Sequence, residues 1–499
     1  MDLKLELESD VMMNTNTSNN FVGKVKNRKV VHNATGSFLF ILVMTTLIIA
    51  LAIGFGWVVV PAGIKFAIST KAVISPDVNP DLYSAWIQPH VPVFLKVFLF
   101  NVTNPEDIKR GSPPIFKEIG PYVFLENRTK LNIQHYEETD TISYEEKINY
   151  NFQQTLSGNL ELKDEITLVN IPFAPTVANG FISKGSLEQL QRTSFITRTV
   201  EEALFKGWVV QFLKKIEEDI GISLVDKNEF GILMQQNNTA TGPYTVGRGT
   251  TDKSLFGKIL KIGNNSKLDF WKEGSPCNEI DGTDGSIYPP FVNTDSVLRI
   301  YNADLCRSIY LTYNKSTNFE GIHGYHFTVP QSVLAAPTLS EENRCFCSYV
   351  EDEPERCIKR GALDLGPCRE GAPIAISAPH FLDADPQYVA DSGLVPDRTK
   401  HKTFIEIEPT TGIVINASKR IQINLILKRL KGIPAFSEVP ELLFPLVWVD
   451  ECATIDTLQG ARLKSLLFYL EALELVVKWV VPCLAVILVI FIVKHRREK

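Results

Sequence analysis

The sequence predicts a membrane-anchored α+β protein in which one large β-rich domain lies between two transmembrane helices. Three observations support this fold class: a long apolar run near each end, strand-like alternation in the middle, and clustered cysteines accompanied by glycosylation sequons. Of the 499 residues, 44% are apolar and 22% are charged, which is an ordinary globular composition apart from the two ends. The net charge of −6 argues against a nucleic-acid partner, because a phosphate-binding surface needs clustered Lys and Arg.

The first apolar run covers residues 36–60 and contains no charge. A bilayer core requires about 20 apolar residues, so this run is long enough to span it. A cleaved signal peptide is the alternative, but the apolar part of a signal is only about 7–15 residues long and begins earlier. We therefore expect a retained transmembrane helix, preceded by a cytosolic tail at residues 1–35.

The second apolar run covers residues 475–493, and its single charge is Lys478, which can extend to the headgroups. A short basic tail, residues 494–499, follows directly. Basic residues flank both runs on the terminal side, so the positive-inside rule places both termini in the cytosol. Residues 61–474 are then an extracellular or lumenal domain.

Six cysteines fall within 92 residues of this middle domain, and they could form either disulfides or a zinc site. The Cys-x-Cys spacing and the oxidising compartment favour disulfides, although spacing alone leaves the pairing open. Two further cysteines, Cys452 and Cys483, are isolated from this group and have no assigned role. The clustered six are Cys277, Cys306, Cys345, Cys347, Cys357 and Cys368.

The middle domain also carries six sequons for N-glycosylation. Asn16 and Asn33 fit the same pattern, but they lie on the predicted cytosolic side and should remain unmodified. The six predicted sites are Asn101, Asn127, Asn237, Asn264, Asn314 and Asn416.

Two local patterns predict secondary structure directly. Residues 403–408 and 413–425 alternate as strands around a Pro/Gly turn, which is typical of an antiparallel hairpin. Thr199 and Glu202 form a capping-box pattern, and apolar residues follow it at four-residue steps through Trp208 to Phe212. This second pattern predicts an amphipathic helix that buries one face.

Short motifs then occur in a characteristic order over some 320 residues. No single motif is specific, but together they resemble the class B scavenger receptors, a family that includes fatty-acid translocase, the high-density-lipoprotein receptor, lysosomal integral membrane proteins and insect sensory neuron membrane proteins. The motifs are NVTNP at 101–105, GPYVF at 120–124, NEIDGTD at 278–284, PPF at 289–291, DLCRSIY at 304–310, CFC at 345–347, PHFL at 379–382, EPTTG at 408–412 and ASKRIQIN at 417–424.

The resemblance implies an antiparallel β-barrel core decorated with short helices, an apical helical bundle and an internal apolar tunnel. It also implies three disulfide pairs, Cys277–Cys345, Cys306–Cys368 and Cys347–Cys357. The implied function is a cell-surface scavenger-type receptor that binds lipids or lipoproteins at its apex and passes lipids through the tunnel to the membrane. Implied partners are fatty acids, sterols, carotenoids or lipoprotein particles, and homo-oligomers are an option. Lys184 and Arg192 are the basic candidates for ligand contact at the apex, with an ordinary solvated lysine as the alternative.

The sequence offers less support for other classes of function. His323 and His326 could ligate zinc on a helix, but the surrounding sequence favours loop and strand, and no hydrolase or metalloprotease motif is present, so we expect no enzyme, no cofactor and no metal. His380 matches a structural position of the family. The alternatives are an endolysosomal receptor for a protein cargo and a chemosensory co-receptor for lipidic pheromones. We expect the protein to be located in the plasma membrane, and the endolysosomal membrane is the alternative location.

Overall fold

The alternating patterns of the middle domain build one large antiparallel sheet. The computed structural model describes residues 39–40, 42–170, 194–209, 229–429 and 434–498. Among these residues, thirteen strands join a single sheet, and two short hairpins stand apart from it. The strands are β1 (Val93–Val102), β2 (Phe116–Tyr136), β3 (Thr141–Phe152), β4 (Glu165–Val169), β5 (Phe195–Thr199), β6 (Trp208–Val209), β7 (Glu229–Phe230), β8 (Ala240–Gly247), β9 (Ile259–Ile262), β10 (Val297–Asn302), β11 (Arg307–Phe319), β12 (Ile322–Thr328), β13 (Ala362–Asp364), β14 (Ile374–Ser377), β15 (Phe404–Ile407), β16 (Val414–Leu427) and β17 (Leu442–Thr454).

Most helices between the strands are short, and the two long ones lie at the ends of the chain. Asn79 caps one short helix by accepting a hydrogen bond from the Leu82 amide, and Pro80 occupies the first helical position, where its missing N–H costs nothing. The helices are α1 (Leu42–Lys71), α2 (Pro80–Ile87), α3 (Pro105–Ile108), α4 (Gln154–Ser157), α5 (Pro386–Ser392), α6 (Arg398–His401), α7 (Pro434–Ser437) and α8 (Thr457–Ile492).

The sheet is a meander in which chain neighbours usually pair. Its order is β10-β11-β12-β15-β16-β17-β1-β2-β3-β8-β9, and β14 with β13 branches from β16. The first strand β1 lies in the middle, between β2 and the last strand β17, so the two ends of the domain meet there. Strands β9 and β10 are the two ends of this strand order, so each has an edge that pairs with no other strand of the sheet.

A short segment at Gly282 and Thr283 joins these two edges. The Ile259 amide of β9 donates to the Gly282 carbonyl at 2.8 Å, and the Tyr301 amide of β10 donates to the Thr283 carbonyl at 3.0 Å. Gly282 has φ +113°, and a Cβ there would lie 2.3 Å from the Arg299 carbonyl carbon, so the close approach requires glycine. The sheet therefore nearly closes into a barrel with an inner and an outer face, as the fold class predicted.

The predicted hairpin at the end of the domain is confirmed. Strands β15 and β16 pair antiparallel, with Phe404 opposite Ser418 and Glu406 opposite Asn416. The Glu408 carboxylate accepts hydrogen bonds from the Thr410 and Thr411 amides, both at 2.8 Å, and so fixes the turn between the strands.

The predicted amphipathic helix is shorter than expected. Its capping box is present, since the Thr199 amide donates to Glu202 at 3.2 Å and the Glu202 amide donates to the Thr199 hydroxyl at 3.3 Å. The helix ends at Gly207, whose φ of +78° breaks the helical path, and Trp208 begins β6 instead. Burial of Trp208 was predicted correctly, but its helical state was wrong; Phe212 lies outside the described residues.

The long terminal helices α1 and α8 are both long and apolar enough to cross a membrane. The part of α1 up to Ala67 and the part of α8 from Leu463 belong to one compact unit, and residues Ile68–Arg462 form the other. Within the first of these units, Trp57 and Trp479 make an edge-to-face contact with ring centroids 5.5 Å apart, and the Lys478 ammonium lies 5.6 Å from the centre of the Trp57 ring. Two helices that could span a membrane thus lie one near each end of the chain, and α1 continues to Lys71, past the predicted boundary at residue 60.

Three disulfides tie together the region after β9. They join Cys277 to Cys345, Cys306 to Cys368, and Cys347 to Cys357, which are the pairs that the family resemblance implies. A small apolar core that includes Trp271, Leu305 and Phe346 packs around the first two. Cys452 and Cys483 carry free thiols.

Candidate functional site

Strand β1 shows how the sequence sorts residues between the two faces of the barrel. Leu95, Val97 and Leu99 belong to the large buried apolar cluster, and their β17 partners are Glu451, Val449 and Val447. The alternate residues Phe94, Lys96 and Phe98 point to the other face and line an open groove, together with their β17 partners Cys452, Asp450 and Trp448. Each strand therefore contributes to two different environments.

Contacts between strands that are far apart in the sheet identify the inner face. Lys419 on β16 contacts the carboxylate of Asp304, beyond β10, with 3.2 Å between Nζ and Oδ2. Lys130 on β2 lies 3.4 Å from the carboxylate of Asp284, next to the closing segment. Several strands separate the partners along the sheet, so these contacts cross the enclosed space. Lys419 pairs in register with Glu451, which places Leu95, Val97 and Leu99 on the inner face as well.

Two apolar clusters occupy this inner face, one at each end of strands β2 and β3. The large cluster includes Tyr122 and Phe124 at one end of β2, and the small cluster includes Tyr144 at the opposite end of β3, with Trp86 from α2. The small cluster also contains Ile142, Val246, Phe256 and Ile259. The side chains named here are buried, so both clusters are packed apolar regions of the barrel interior.

Charged side chains separate the two apolar clusters, and we call this group the charged belt. On β2 the inward positions that follow Phe124 are Glu126, Arg128 and Lys130, and each is linked to a partner on another strand or loop. The complete belt consists of Glu126, Arg128, Lys130, Glu146, Asp284, Asp304, Lys419 and Glu451.

The first half of the belt is built around Arg128. Its guanidinium lies 2.6 Å from Glu126 and 2.6 Å from Glu451. Lys419 continues the network, at 2.9 Å from Glu451 and 3.2 Å from Asp304. Multiple partners for each cation compensate part of the desolvation that an enclosed charge suffers.

The second half is built around Lys130, whose side chain is almost fully buried. Its ammonium lies 3.6 Å from Glu146 and 3.4 Å from Asp284. The same ammonium lies 5.1 Å and 4.9 Å from the ring centres of Trp86 and Tyr144, so cation–π attraction attaches the belt to the small apolar cluster.

The two carboxylates that share Arg128 have opposite electrostatic environments. Burial raises the pKa of Glu126, and the negative charge of Glu451 raises it further, because Arg128 does not fully offset either effect. Burial also acts to raise the pKa of Glu451, but Arg128 and Lys419 outweigh it and hold that pKa well below its usual range. One oxygen of Glu126, Oε1, is buried without a hydrogen-bond partner among the described residues.

Two cations of the belt are partly accessible, although burial affects the charge of both. Arg128 and Lys419 retain 22% and 31% of their side-chain exposure. Burial acts to lower the pKa of each, but Glu451 and the other nearby carboxylates outweigh it and raise both pKa values. Nearby, burial raises the pKa of Tyr150 well above its usual value, and Glu126 adds to the increase.

The outer face carries a separate groove of about 790 Å³. Phe98 and Trp448 stack in parallel on its floor with ring centroids 3.8 Å apart. His380 and the Trp448 indole N–H both lie within hydrogen-bond distance of the Glu118 carboxylate, at 2.5 Å and 2.9 Å. Burial lowers the pKa of the adjacent His401 to about 4, so this imidazole is neutral at physiological pH.

The two histidines with a possible zinc-ligand spacing do not come together in the structure. His323 and His326 lie on β12, as the loop-and-strand interpretation expected, and a spacing of three on a strand directs the two side chains to opposite faces. His326 Nδ1 lies 2.9 Å from Glu406, and His323 packs against Tyr325. Among the described residues, no group of three potential metal ligands comes together.

The predicted apex residues Lys184 and Arg192 lie outside the described residues and remain a prediction. The charged belt, by contrast, was missed from sequence. In the sequence, the charged residues Glu126, Arg128 and Lys130 occupy every second position of a long strand. This pattern normally indicates a strand face that is exposed to solvent.

A nearly closed antiparallel barrel between two helices suited to crossing a membrane defines a two-span membrane protein with one large β-barrel domain. A family model described as the CD36 family matches residues 42–495, so the chain belongs to the CD36 family. This result confirms the resemblance to the class B scavenger receptors.

Three of the named relatives are similar to most of the chain. Lysosome membrane protein 2 of Rattus norvegicus is 34% identical over 396 residues, covering 77% of this chain and 80% of the relative. Scavenger receptor class B member 1 of Cricetulus griseus is 33% identical over 406 residues, covering 79% and 76%. Sensory neuron membrane protein 1 of Manduca sexta is 30% identical over 453 residues, covering 85% and 84%.

Proposed function

We propose that this protein is a cell-surface scavenger-type receptor that takes up lipids from lipoprotein particles or other carriers. Cargo is captured at the apex, with Lys184 and Arg192 as candidate contacts, and passes through the barrel interior to the membrane in which the chain is anchored. No catalytic step is involved. The observation that carries the proposal is the enclosed inner face with its two apolar clusters.

The physical basis is the transfer of apolar surface out of water. Each methylene group buried gains about 0.8 kcal/mol, so an enclosed apolar path lowers the barrier for a lipid between a carrier and a bilayer. Transfer follows the chemical gradient and requires no energy source. Belonging to a family with a member named a scavenger receptor supports this proposal.

The names of two relatives are compatible with two alternative functions for this protein. Similarity to a lysosome membrane protein is compatible with an endolysosomal receptor, and similarity to a sensory neuron membrane protein is compatible with a chemosensory co-receptor. Microscopy of a tagged chain separates the endolysosomal membrane from the plasma membrane. Expression restricted to sensory cells would favour the chemosensory role.

A test of lipid passage uses two adjacent residues on β3. Ile148 occupies an inward position opposite Arg128, and Lys147 occupies the outward position beside it. Both are half-buried, and we expect a larger side chain to be accommodated at either position. We expect Ile148→Trp to narrow the interior and to reduce transfer of a fluorescent lipid from donor vesicles severalfold, whereas Lys147→Trp leaves transfer unchanged.

Surface expression of both variants is measured in the same cells, so that a folding defect is recognised. Lipid extracted from the purified wild-type protein is identified by mass spectrometry. Undiminished transfer by Ile148→Trp at normal surface levels would exclude the barrel interior as the route.

A further inference from the structure

We infer that the groove on the outer face of the barrel, which we call the outer groove, is a binding site for a small aromatic carboxylate. Lys96 binds the carboxylate group, and the aromatic side chains on either side of Lys96 contact the flat apolar body of the ligand. This site goes beyond the proposed passage of lipids, because it lies on the outer face and does not depend on the barrel interior.

The outer groove is open and large enough for such a ligand. Its volume of about 790 Å³ lies within the range of about 300–1,000 Å³ that is typical of small-molecule sites. Phe94, Lys96 and Phe98 of β1 are half-buried, so part of each side chain is accessible to a ligand. Cys452 on β17 also lines the groove, is half-buried and carries a free thiol. A ligand can therefore reach the centre of the groove without any rearrangement of the barrel.

Two of the cations at the outer groove are paired with carboxylates of the protein. The guanidinium of Arg420 lies 3.3 Å from Asp450, whose carboxylate also accepts a hydrogen bond from the Ser418 hydroxyl. The ammonium of Lys400 lies 4.0 Å from the carboxylate of Asp397. Both cations are therefore compensated in the absence of a ligand.

The carboxylate of Glu118 is compensated as well. His380 Nε2 lies 2.5 Å from this carboxylate, and His380 Nδ1 lies 2.9 Å from the Val395 carbonyl oxygen. Because both partners are acceptors, both ring nitrogens donate, and an imidazole ring with two N–H groups is cationic. The Trp448 indole N–H donates to the same carboxylate at 2.9 Å. Glu118 is thus already engaged and does not balance another cation of the groove.

Lys96 is the charged residue of the outer groove that lacks a counter-charge. In the described part of the chain, its ammonium group forms no ion pair with a carboxylate. Asp450 is opposite Lys96 in the strand register, but it is engaged by Arg420 and Ser418. The nearby Cys452 thiol supplies no negative charge, because burial and Asp450 raise its pKa. A half-buried ammonium without a counter-charge attracts an anion more strongly than a fully solvated lysine does.

Aromatic side chains on both sides of Lys96 determine the apolar part of the ligand. Phe94 and Phe98 occupy the adjacent positions on the same face of β1, each about 7 Å from Lys96 along the strand. The buried Trp448 stacks on Phe98 with ring centroids 3.8 Å apart and so holds the accessible ring in place. Contacts between aromatic rings are more favourable than burial of the same apolar area alone. The groove therefore favours an aromatic anion over an aliphatic one.

The test compares 2-naphthoate with its uncharged isostere 2-naphthamide and with octanoate, an aliphatic anion. Binding to the purified full-length protein in uncharged detergent is measured by isothermal titration calorimetry at neutral pH, and binding to empty micelles is subtracted. We expect the wild type to bind 2-naphthoate at least about fivefold more tightly than 2-naphthamide, which is the contribution of one partly exposed ion pair. Octanoate should bind more weakly than 2-naphthoate because it makes no ring contacts.

Substitutions of Lys96 test its role as the anchor. Lys96→Met removes the charge with little change in side-chain length, so we expect 2-naphthoate to bind about fivefold more weakly, at the level of 2-naphthamide. Lys96→Arg keeps the charge and should keep most of the affinity. The matched control is Lys261→Met, because Lys261 is an exposed lysine on β9 and does not line the groove. The thermal melt of each variant shows whether it is folded.

Alkylation of the Cys452 thiol locates the ligand in the wild-type protein and so does not depend on the folding of a variant. The other free cysteine of the described residues is Cys483, in α8. We expect saturating 2-naphthoate to slow the reaction of Cys452 with N-ethylmaleimide severalfold, as measured by mass spectrometry of the peptides. The rate at Cys483 should not change. An unchanged rate at Cys452 would overturn the assignment of the ligand to this groove.

Other results would also overturn the site. These are equal binding of 2-naphthoate and 2-naphthamide by the wild type, full 2-naphthoate affinity in folded Lys96→Met, an equal loss in Lys261→Met, and octanoate binding as tight as that of 2-naphthoate. Ile148→Trp separates the site from lipid passage, since it should leave 2-naphthoate binding unchanged whatever its effect on lipid transfer. Loss of 2-naphthoate binding in Ile148→Trp would place the ligand in the barrel interior instead.

Discussion

At the scale of single residues, Arg128 and the two carboxylates that share it determine the electrostatics of the barrel interior. One guanidinium lies 2.6 Å from both Glu126 and Glu451, and only Glu451 has a second cation, Lys419 at 2.9 Å. The proton is therefore held more readily by Glu126, whose pKa burial and Glu451 raise, than by Glu451. Because the pKa values of these neighbouring carboxyl groups shift in opposite directions, the two groups have different protonation states over a range of pH.

This difference predicts opposite effects of two glutamine substitutions on stability. A raised native pKa means that the stabilising contribution of Glu126 is full in acid, below the unfolded pKa, and is lost as pH rises through the native pKa. Glu126→Gln should therefore raise the melting temperature of the purified protein at about pH 8, by the equivalent of about 1 kcal/mol, and have little effect at about pH 5. Arg128, Glu451, Lys419 and Tyr150 are the ionisable groups around it.

The matched substitution is Glu451→Gln. A lowered native pKa means that the contribution of Glu451 is present above the unfolded pKa and is lost only as pH falls through the native pKa. It should lower stability throughout about pH 5 to about pH 8, by about 3 kcal/mol, because Arg128 and Lys419 lose a shared partner. A Glu126→Gln variant whose melting temperature falls relative to wild type at about pH 8 would contradict the assignment.

At the scale of elements, the segment at Gly282 and Thr283 converts an open sheet into a nearly closed barrel. Strands β9 and β10 do not pair with each other in the sheet order, and the backbone of this segment supplies the hydrogen bonds between them. Closure removes the exposed strand edges and separates an inner from an outer face. The division into apolar clusters, belt and outer groove depends on it.

Closure can be tested by adding one methyl group. Gly282→Ala places a Cβ about 2.3 Å from the Arg299 backbone, so we expect a loss of roughly 3 kcal/mol or more of stability, with faster hydrogen exchange at the Ile259 and Tyr301 amides. Gly274→Ala is the control, since Gly274 also has positive φ, at +71°, but a Cβ there meets nothing within 4 Å. It should cost only about 1 kcal/mol. Equal losses in the two variants would show that the close approach to Arg299 is unimportant.

Elements that depend on local sequence patterns could be predicted from the sequence, whereas features that depend on closure of the barrel could not. The β15–β16 hairpin follows from its alternation and turn, and the Thr199 capping box forms as its residues indicate. The end of that helix depends on the backbone conformation of Gly207 and on pairing of β6 with β7. The charged belt could not be recognised, because alternation reveals that Glu126 and Asn127 point to opposite faces but not which face is enclosed.

At the scale of the whole molecule, the two membrane-spanning helices leave the barrel on one side of the membrane. Glycosylation of the sequons in the barrel would show which side that is. Residues of β2 illustrate this, because Asn127 is exposed on the outer face while Glu126 and Arg128 on either side of it face inward. Asn264 and Asn314 are exposed as well. In the other three sequons the asparagine is half-buried and its side-chain amide forms a hydrogen bond. Asn101 accepts from the backbone amide of Thr167, and Asn237 accepts from the backbone amide of Tyr150. Asn416 donates to the carboxylate of Glu406.

Enzymatic deglycosylation of the protein from eukaryotic cells should therefore lower its mass, and the individual sites should differ in occupancy. We expect Asn127→Gln, Asn264→Gln and Asn314→Gln each to remove one glycan, and substitution of the three engaged asparagines to produce smaller average shifts, because a glycan there perturbs a hydrogen bond of the sheet. Asn16→Gln and Asn33→Gln are the controls, and they should change nothing if the amino-terminal tail is cytosolic. A mass shift on substitution of Asn33 would invert the topology, and the barrel would then face the cytosol, where neither an extracellular lipid carrier nor an oxidising environment for its three disulfides is available.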